Sequence, residues 1–273
     1  MRCIGVSAIL LVSSGVHAQA PDPSPTAAPN APAPTPEYPI EYVDRPLVMN
    51  AGMDNIGLFY ARGHALVTTT DAMGKPVTMR SDFGELSSWV VSYDHSFGRL
   101  ELHAALSNDD TALAVRFAPT RSLLLVARVG GSFGTYPDDD RSRYYIAESV
   151  RATYRVVHVP KRFAVFVGGG VVLEQLQGRF FDGTFREGVE TSTSAGASAG
   201  VQLSRNVSAW LAGSAGALVQ SSVGNERDGG VSVESQLRFA LRHWDFLVGA
   251  GVTDLTDTRR ATIFSEIVFR WGP

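Results

Sequence analysis

From about residue 55 onward the chain divides into twelve runs that alternate apolar and polar residues, and the connections between the runs alternate in length. The runs are 55–66, 86–95, 99–106, 111–117, 121–130, 144–157, 162–174, 191–203, 207–220, 231–241, 244–253 and 261–271. The second, fourth, sixth, eighth and tenth end in tight turns: Ser96-Phe97-Gly98, Ala118-Pro119-Thr120, His158-Val159-Pro160-Lys161, Ser204-Arg205-Asn206 and Arg242-His243. The odd runs are followed by longer connections at 67–85, 131–143, 175–190, 221–230 and 254–260, with 107–110 the one short exception. A soluble β-sandwich gives no reason for such a rule. A meander that crosses one slab repeatedly does, because its two ends meet different surroundings.

The two faces of the runs agree. In 231–241, Val231, Val233, Ser235, Leu237, Phe239 and Leu241 oppose Ser232, Glu234, Gln236, Arg238, Ala240 and Arg242. Side chains alternate across a strand, so one set can meet lipid and the other a wet interior. The same split sets Trp244, Phe246 and Val248 against His243 and Asp245, and Val150, Tyr154 and Val156 against Arg151 and Arg155. The first run is equivocal, since Arg62 and His64 share a face with Ile56, Leu58 and Tyr60. A soluble antiparallel sheet also alternates, so length decides. Several runs exceed the usual five or six residues of a soluble strand, and about 9–11 cross a bilayer. Tyr154, Trp244, Phe269 and Trp271 fall near the short-turn ends, where an aromatic girdle belongs. The expected fold is all-β: a single transmembrane antiparallel up-and-down β-barrel of about twelve strands, with ten or fourteen as alternatives. An even number places both termini at the short-turn, periplasmic side.

Residues 1–20, with Arg2, an apolar run and the endings Val16-His17-Ala18 and Ala18-Gln19-Ala20, read as a signal peptide cleaved after Ala18 or Ala20. The only cysteine, Cys3, lies within it, so the exported chain has no disulfide. Residues 21–39 form a Pro/Ala-rich linker, expected to be an extended tether outside any core. Residues 40–273 form the barrel domain, with 40–55 leading into its body. Lys and Arg total 24 against 27 Asp and Glu, a balance that gives no nucleic-acid-coating surface.

With its export signal, alternating strands and asymmetric connections, the chain resembles the bacterial outer-membrane β-barrel proteins, porin-like in outline, over the signal peptide and roughly 55–271. In that class the last strand carries an alternating apolar signal ending in an aromatic residue. Ile263, Ile267, Phe269 and Trp271 look like that signal, although Gly272-Pro273 follows it. The resemblance implies the outer membrane as location and the barrel-assembly machinery, outer-membrane lipid and lipopolysaccharide as partners.

Twelve strands make a barrel between the side-chain-filled eight-stranded kind and an open porin. The pore-lining candidates are Arg99, Arg128, Arg151, Arg155, Arg162, Glu234, Arg238, Asp245, Glu266 and Arg270, with Glu101, His103, Glu174 and Arg242 on the same expected face. Either arginines and carboxylates pair and plug the lumen, or an arginine excess lines a narrow pore for anions. The expected function is porin-like passage of ions or small solutes, anionic ones where the arginine excess lines the pore. The alternative is a closed structural or surface-binding barrel acting through its long loops. A lipid-modifying enzyme comes third, from His95-Ser96 in YDHSFGR, where Ser96 falls in a periplasmic turn and no orienting third group is placed. Asp138-Asp139-Asp140 and Asn108-Asp109-Asp110 read as solvated loop acids. No catalytic, metal or cofactor site is expected.

Overall fold

In the computed structural model, the described residues are 37–70, 76–80, 86–108, 110–136, 139–179, 185–221, 230–253 and 259–272. The signal peptide and most of the linker lie outside them, as do Asp109 and Asp138 and the side chains of Asp139 and Asp140. The strands in chain order are β1 Asp54–Thr70, β2 Pro76–Arg80, β3 Leu86–Ser96, β4 Leu100–Ser107, β5 Thr111–Phe117, β6 Leu123–Tyr136 and β7 Asp139–Val159. They continue as β8 Phe163–Arg179, β9 Phe185–Ser204, β10 Val207–Ser221, β11 Val231–Ala240, β12 Trp244–Thr253 and β13 Arg259–Trp271. Each pairs antiparallel with its neighbour in sequence, except that β2 is a short hairpin arm on the end of β1. The ladder closes where β1 meets β13, from Asp54 opposite Trp271 to Leu66 opposite Arg259. The barrel wall therefore has twelve strands, and the pairs Asp54–Trp271 and Asp54–His95 put its first and last residues at the short-turn end.

Two boundaries differ from the sequence reading. The connections read at 131–143 and 175–190 are largely strand: β6 and β7 pair up to Tyr136 opposite Asp139, and β8 and β9 up to Arg179 opposite Phe185. Apolar alternation stops at the lipid edge, but backbone pairing needs no apolar side chains and continues into water. The arm β2, within the connection read at 67–85, extends the ladder in the same way.

The outward faces carry the apolar residues. Leu58, Val91, Leu113, Val150, Val171, Leu211, Val233, Val248 and Ile263 are all exposed, which in water would be an aggregating surface and in lipid is the matched one. At the short-turn edge Trp244 lies against Phe269 at 4.6 Å between ring centroids, Phe269 against Trp271 at 5.6 Å, and Tyr93 against Trp271 at 6.5 Å. This is an aromatic girdle, in which the amphipathic rings of Tyr93, Trp244 and Trp271 suit the membrane boundary. Arg62 is exposed on the same outward face, in register with Ile263 and Ser87.

The apolar core sits inside the barrel, at one end. Val43, Leu47 and Val48 pack with Ala118, Leu124, Ala164, Phe166 and Trp210, and Tyr42 and Val126 border them. The first three belong to no strand. Trp210 reaches this cluster because Gly200, opposite it on β9, leaves no room for a Cβ beneath the indole. Gly200→Val is expected to lift the indole and cost about 1–3 kcal/mol by overpacking. Heat-induced loss of the compact electrophoretic form reads that cost, and unchanged thermal resistance would count against it.

The candidate functional site is a lumen closed by an internal lid

Residues 37–53 lie across the short-turn mouth of the barrel. Glu37, exposed, stands 4.0 Å from Arg242 in the β11–β12 turn. The chain then makes a single 3-10 turn at Tyr42–Asp44. There the Asp44 carboxylate accepts the Lys161 backbone N–H at 3.0 Å and lies 2.9 Å from His158 Nε2, both at the β7–β8 turn. The Val43 N–H donates to Gln202 Oε1 of β9 at 3.3 Å. Further on, the Met49 N–H donates to Glu101 Oε2 at 3.0 Å, and Ser96 Oγ donates to the Met49 carbonyl at 2.6 Å. The segment thus touches three short turns around the rim, entering and leaving at the same end. Val43, Leu47, Val48 and Met49 are buried, as are the wall residues facing them.

One buried ion cluster fastens this lid. Arg45 Nη1 and Nη2 donate to the two oxygens of Asp245 at 2.5 and 2.8 Å, a bidentate pair. Arg270 of β13 donates to the same carboxylate, so one acid serves two guanidiniums, each with a 4% exposed side chain. Burial works against the charge on Arg45, but the Asp245 carboxylate outweighs it and holds the guanidinium above its ordinary range. Burial pushes the Tyr38 phenol up to about 12, against the pull of Arg45 and Arg270. The Tyr42 ring is covered by Arg45 at 4.4 Å and by Arg238 at 4.3 Å, and sets its edge on Trp210 at 5.8 Å between centroids. These are cation–π contacts in a desolvated site, the condition in which they are strongest.

A second cluster sits on the wall beside the lid. Arg116 Nη1 donates to Glu101 Oε1 at 2.6 Å and to Asp94 Oδ1 at 3.1 Å, and His103 Nδ1 lies 2.7 Å from Asp94 Oδ1. On the far side Arg238 donates to Gln236 Oε1 at 2.6 Å, and Gln236 Nε2 donates to Glu234 at 2.6 Å. Above these belts Ser149, Arg151, Ser192, Ser194, Ser214 and Ser232 are only partly buried, and Arg128 is exposed. The lumen is therefore a polar, partly buried vestibule over a buried floor.

Of the ten pore-lining candidates, Arg128, Arg151, Arg155, Glu234, Arg238, Asp245, Glu266 and Arg270 occupy inward ladder positions. Arg99 and Arg162 do not line the interior: they share the inward parity but stand exposed at the short-turn rim, as does Arg242. A strand's alternation ends where its turn begins, and these long side chains turn to water. Arg155, Arg238, Asp245 and Arg270 are buried at the lid, in the floor of the lumen and not in an open passage. His95 and Ser96 point to opposite faces: His95 pairs with Asp54 at 2.7 Å, while Ser96 is sealed under the lid. Among the described residues no group of three or more potential metal ligands assembles.

Sequence reasoning missed the lid. Its signal was present in Val43, Leu47, Val48 and Met49, apolar residues without a strand's period beside Asp44 and Arg45.

No family model and no curated protein sequence matches the chain. Solved structures do. An outer membrane channel from Pseudomonas putida F1 superposes with a TM-score of 0.58 at 14% identity, over 82% of this chain and 97% of that one. The translocator domain of the autotransporter NalP from Neisseria meningitidis gives 0.54 at 11% identity, over 80% and 88%. The beta domain of the Bordetella autotransporter BrkA gives 0.50 at 12%, over 81% and 99%. At these identities the likeness is one of fold. Closed by twelve antiparallel strands, apolar without and polar within, the chain has the fold of the outer-membrane β-barrels.

Proposed function

We propose that the protein is an outer-membrane channel for small solutes, held shut at its periplasmic end by residues 37–53. The observation that carries this reading is the lid itself. A polar, partly hydrated lumen ends on a separate segment of chain, fixed by side-chain contacts and not built into the wall. A barrel with no passage to guard could fill its interior from its own strands, as small barrels do. The fold likeness to an outer membrane channel agrees with this. The autotransporter likeness is not carried over. A passenger led outward through the lumen would place the N-terminal segment at the long-loop end, whereas Glu37 emerges beside the β11–β12 turn.

In this reading the chain is exported by its cleaved signal peptide, and its last strand is read by the barrel-assembly machinery. Lipid and lipopolysaccharide surround the apolar belt.

The alternative is a permanently closed barrel acting through its outer loops. The apolar floor at Val43 and Leu47 is the observation that favours it. Planar-bilayer recording separates the two. The channel reading expects the folded intact chain to conduct rarely, and protein with a loosened lid to show frequent discrete steps. Silence from folded protein whose lid is open to protease would sink it and leave the closed barrel.

A further inference from the structure

We infer that Arg128 and Arg151 form an anion site in the vestibule above the lid, taking a small solute that carries a carboxylate or phosphate group. The inference deepens the channel reading and rests on it for its role, although binding can be tested without conduction.

Register brings the two residues together. Arg128 on β6 is opposite Ser149 on β7, and Arg151 on β7 is opposite Val126 on β6. They are diagonal neighbours on one face, about 7–8 Å apart at the backbone and within reach of long side chains. Their charges are poorly matched by the protein. Arg128 Nη2 is 3.5 Å from Asp110 Oδ2, with the two side chains 41% and 33% exposed. Among the described residues no carboxylate comes within ion-pair distance of Arg151, whose charged neighbour is Arg128. The lid and floor arginines behave differently: Arg45, Arg116 and Arg270 each donate directly to a buried acid. Two adjacent guanidiniums in a partly desolvated lumen leave a concentration of positive charge that a multi-oxygen anion can satisfy through paired N–H donors.

The wall around them is shaped for the purpose. Arg151 faces Gly170 on β8, where a Cβ would come within 2.5 Å of both Arg151 Cγ and the Val150 carbonyl oxygen. The bare glycine lets the arginine stem lie flat along the wall, which limits the freedom it loses on binding. Gly168, two residues away on the same face, gives Thr153 similar room, with Oγ1 at 3.1 Å from where a Cβ would be. Beyond them the inner face carries hydroxyls: Ser192, Ser194, and the bonded pair Ser214 and Ser232 at 2.7 Å. The inner-wall acids of this sector, Glu174 and Glu190, stand four residues further up than Gly170 and Ser194. That is about 13 Å along the strand at the backbone. Within the run of three glycines at 168–170, it is Gly170 that makes room for the arginine opposite it.

The test begins with the folded full chain in detergent, titrated calorimetrically with inorganic phosphate and with citrate. Saturable binding of at least one is expected, and which one binds more tightly separates phosphate from carboxylate solutes. Arg128→Gln and Arg151→Gln should each weaken it about tenfold or more. Gly170→Ala, which keeps every charge but crowds the Arg151 stem and the Val150 carbonyl, should also weaken it in protein that retains the compact electrophoretic form, an effect that net charge alone does not produce. No saturable binding to the intact chain, or Arg151→Gln binding as the intact chain does, overturns the site. The role is read separately, from reversal potentials in a salt gradient with a lid-loosened variant. Anion preference should fall when both arginines become glutamine. Conduction with unchanged preference overturns the role. Binding without any conduction keeps the site and removes the channel reading.

Discussion

Asp245→Asn is expected to free the lid while leaving the barrel standing. The carboxylate is the shared partner of Arg45 and Arg270, both almost fully buried. Removing one member of a buried ion pair typically costs about 3–5 kcal/mol, because the remaining charge is left dry and unmatched. Here the lid offers relief, since undocking returns Arg45 to water. The loss should therefore fall on the lid equilibrium, shifting it by about a hundredfold or more. Chymotrypsin cleavage after Tyr42 measures it, with the compact electrophoretic form as the check that the barrel persists. Arg45→Gln should do less, because Asp245 then keeps Arg270. A cleavage rate unchanged by Asp245→Asn would mean that this cluster does not hold the lid.

Val43→Asp attacks the same element from its apolar side. Val43 is 0% exposed, at the centre of the cluster with Phe166, Ala164 and Trp210. A carboxylate placed there without a base costs several kcal/mol. Val43 belongs to no wall strand, so the barrel has little to lose and the lid should leave the mouth. The expected readouts are rapid chymotrypsin cleavage after Tyr42 and frequent conductance steps where the intact chain gives few. Val43→Ile, which keeps the site apolar, should stay close to the intact chain in both. If Val43→Asp protein is folded and cleaved yet silent, the channel reading is lost.

The barrel was legible in the sequence because its two solvents impose a period of two. Val231, Val233, Leu237 and Phe239 against Glu234, Gln236 and Arg238 is a pattern one strand carries by itself, and it fixes which face is which. The lid obeys no such local rule. Val43 and Leu47 are buried only because a wall closes around them, and Arg45 finds Asp245 across 200 residues of chain. Rim positions failed for a related reason: Arg99 and Arg162 have the parity of lumen residues but lie beyond the last rung. The glycines were ambiguous in the same way. Whether Gly170 bends a strand or makes room depends on Arg151 being opposite, and register is not written in either strand alone.

The lid hangs from the first strand, yet its strongest fastening, Asp245 and Arg270, comes from the last two. It cannot lock until the last strands are made and the wall is closed. A chain that lacks its final hairpin, or has inserted only part of its strands, has nowhere to dock Arg45. Sealing is thus tied to completion: the same event that joins the two edges of the sheet supplies the anchor. An unfinished copy is left with its lid undocked and its N-terminal segment open to proteolysis.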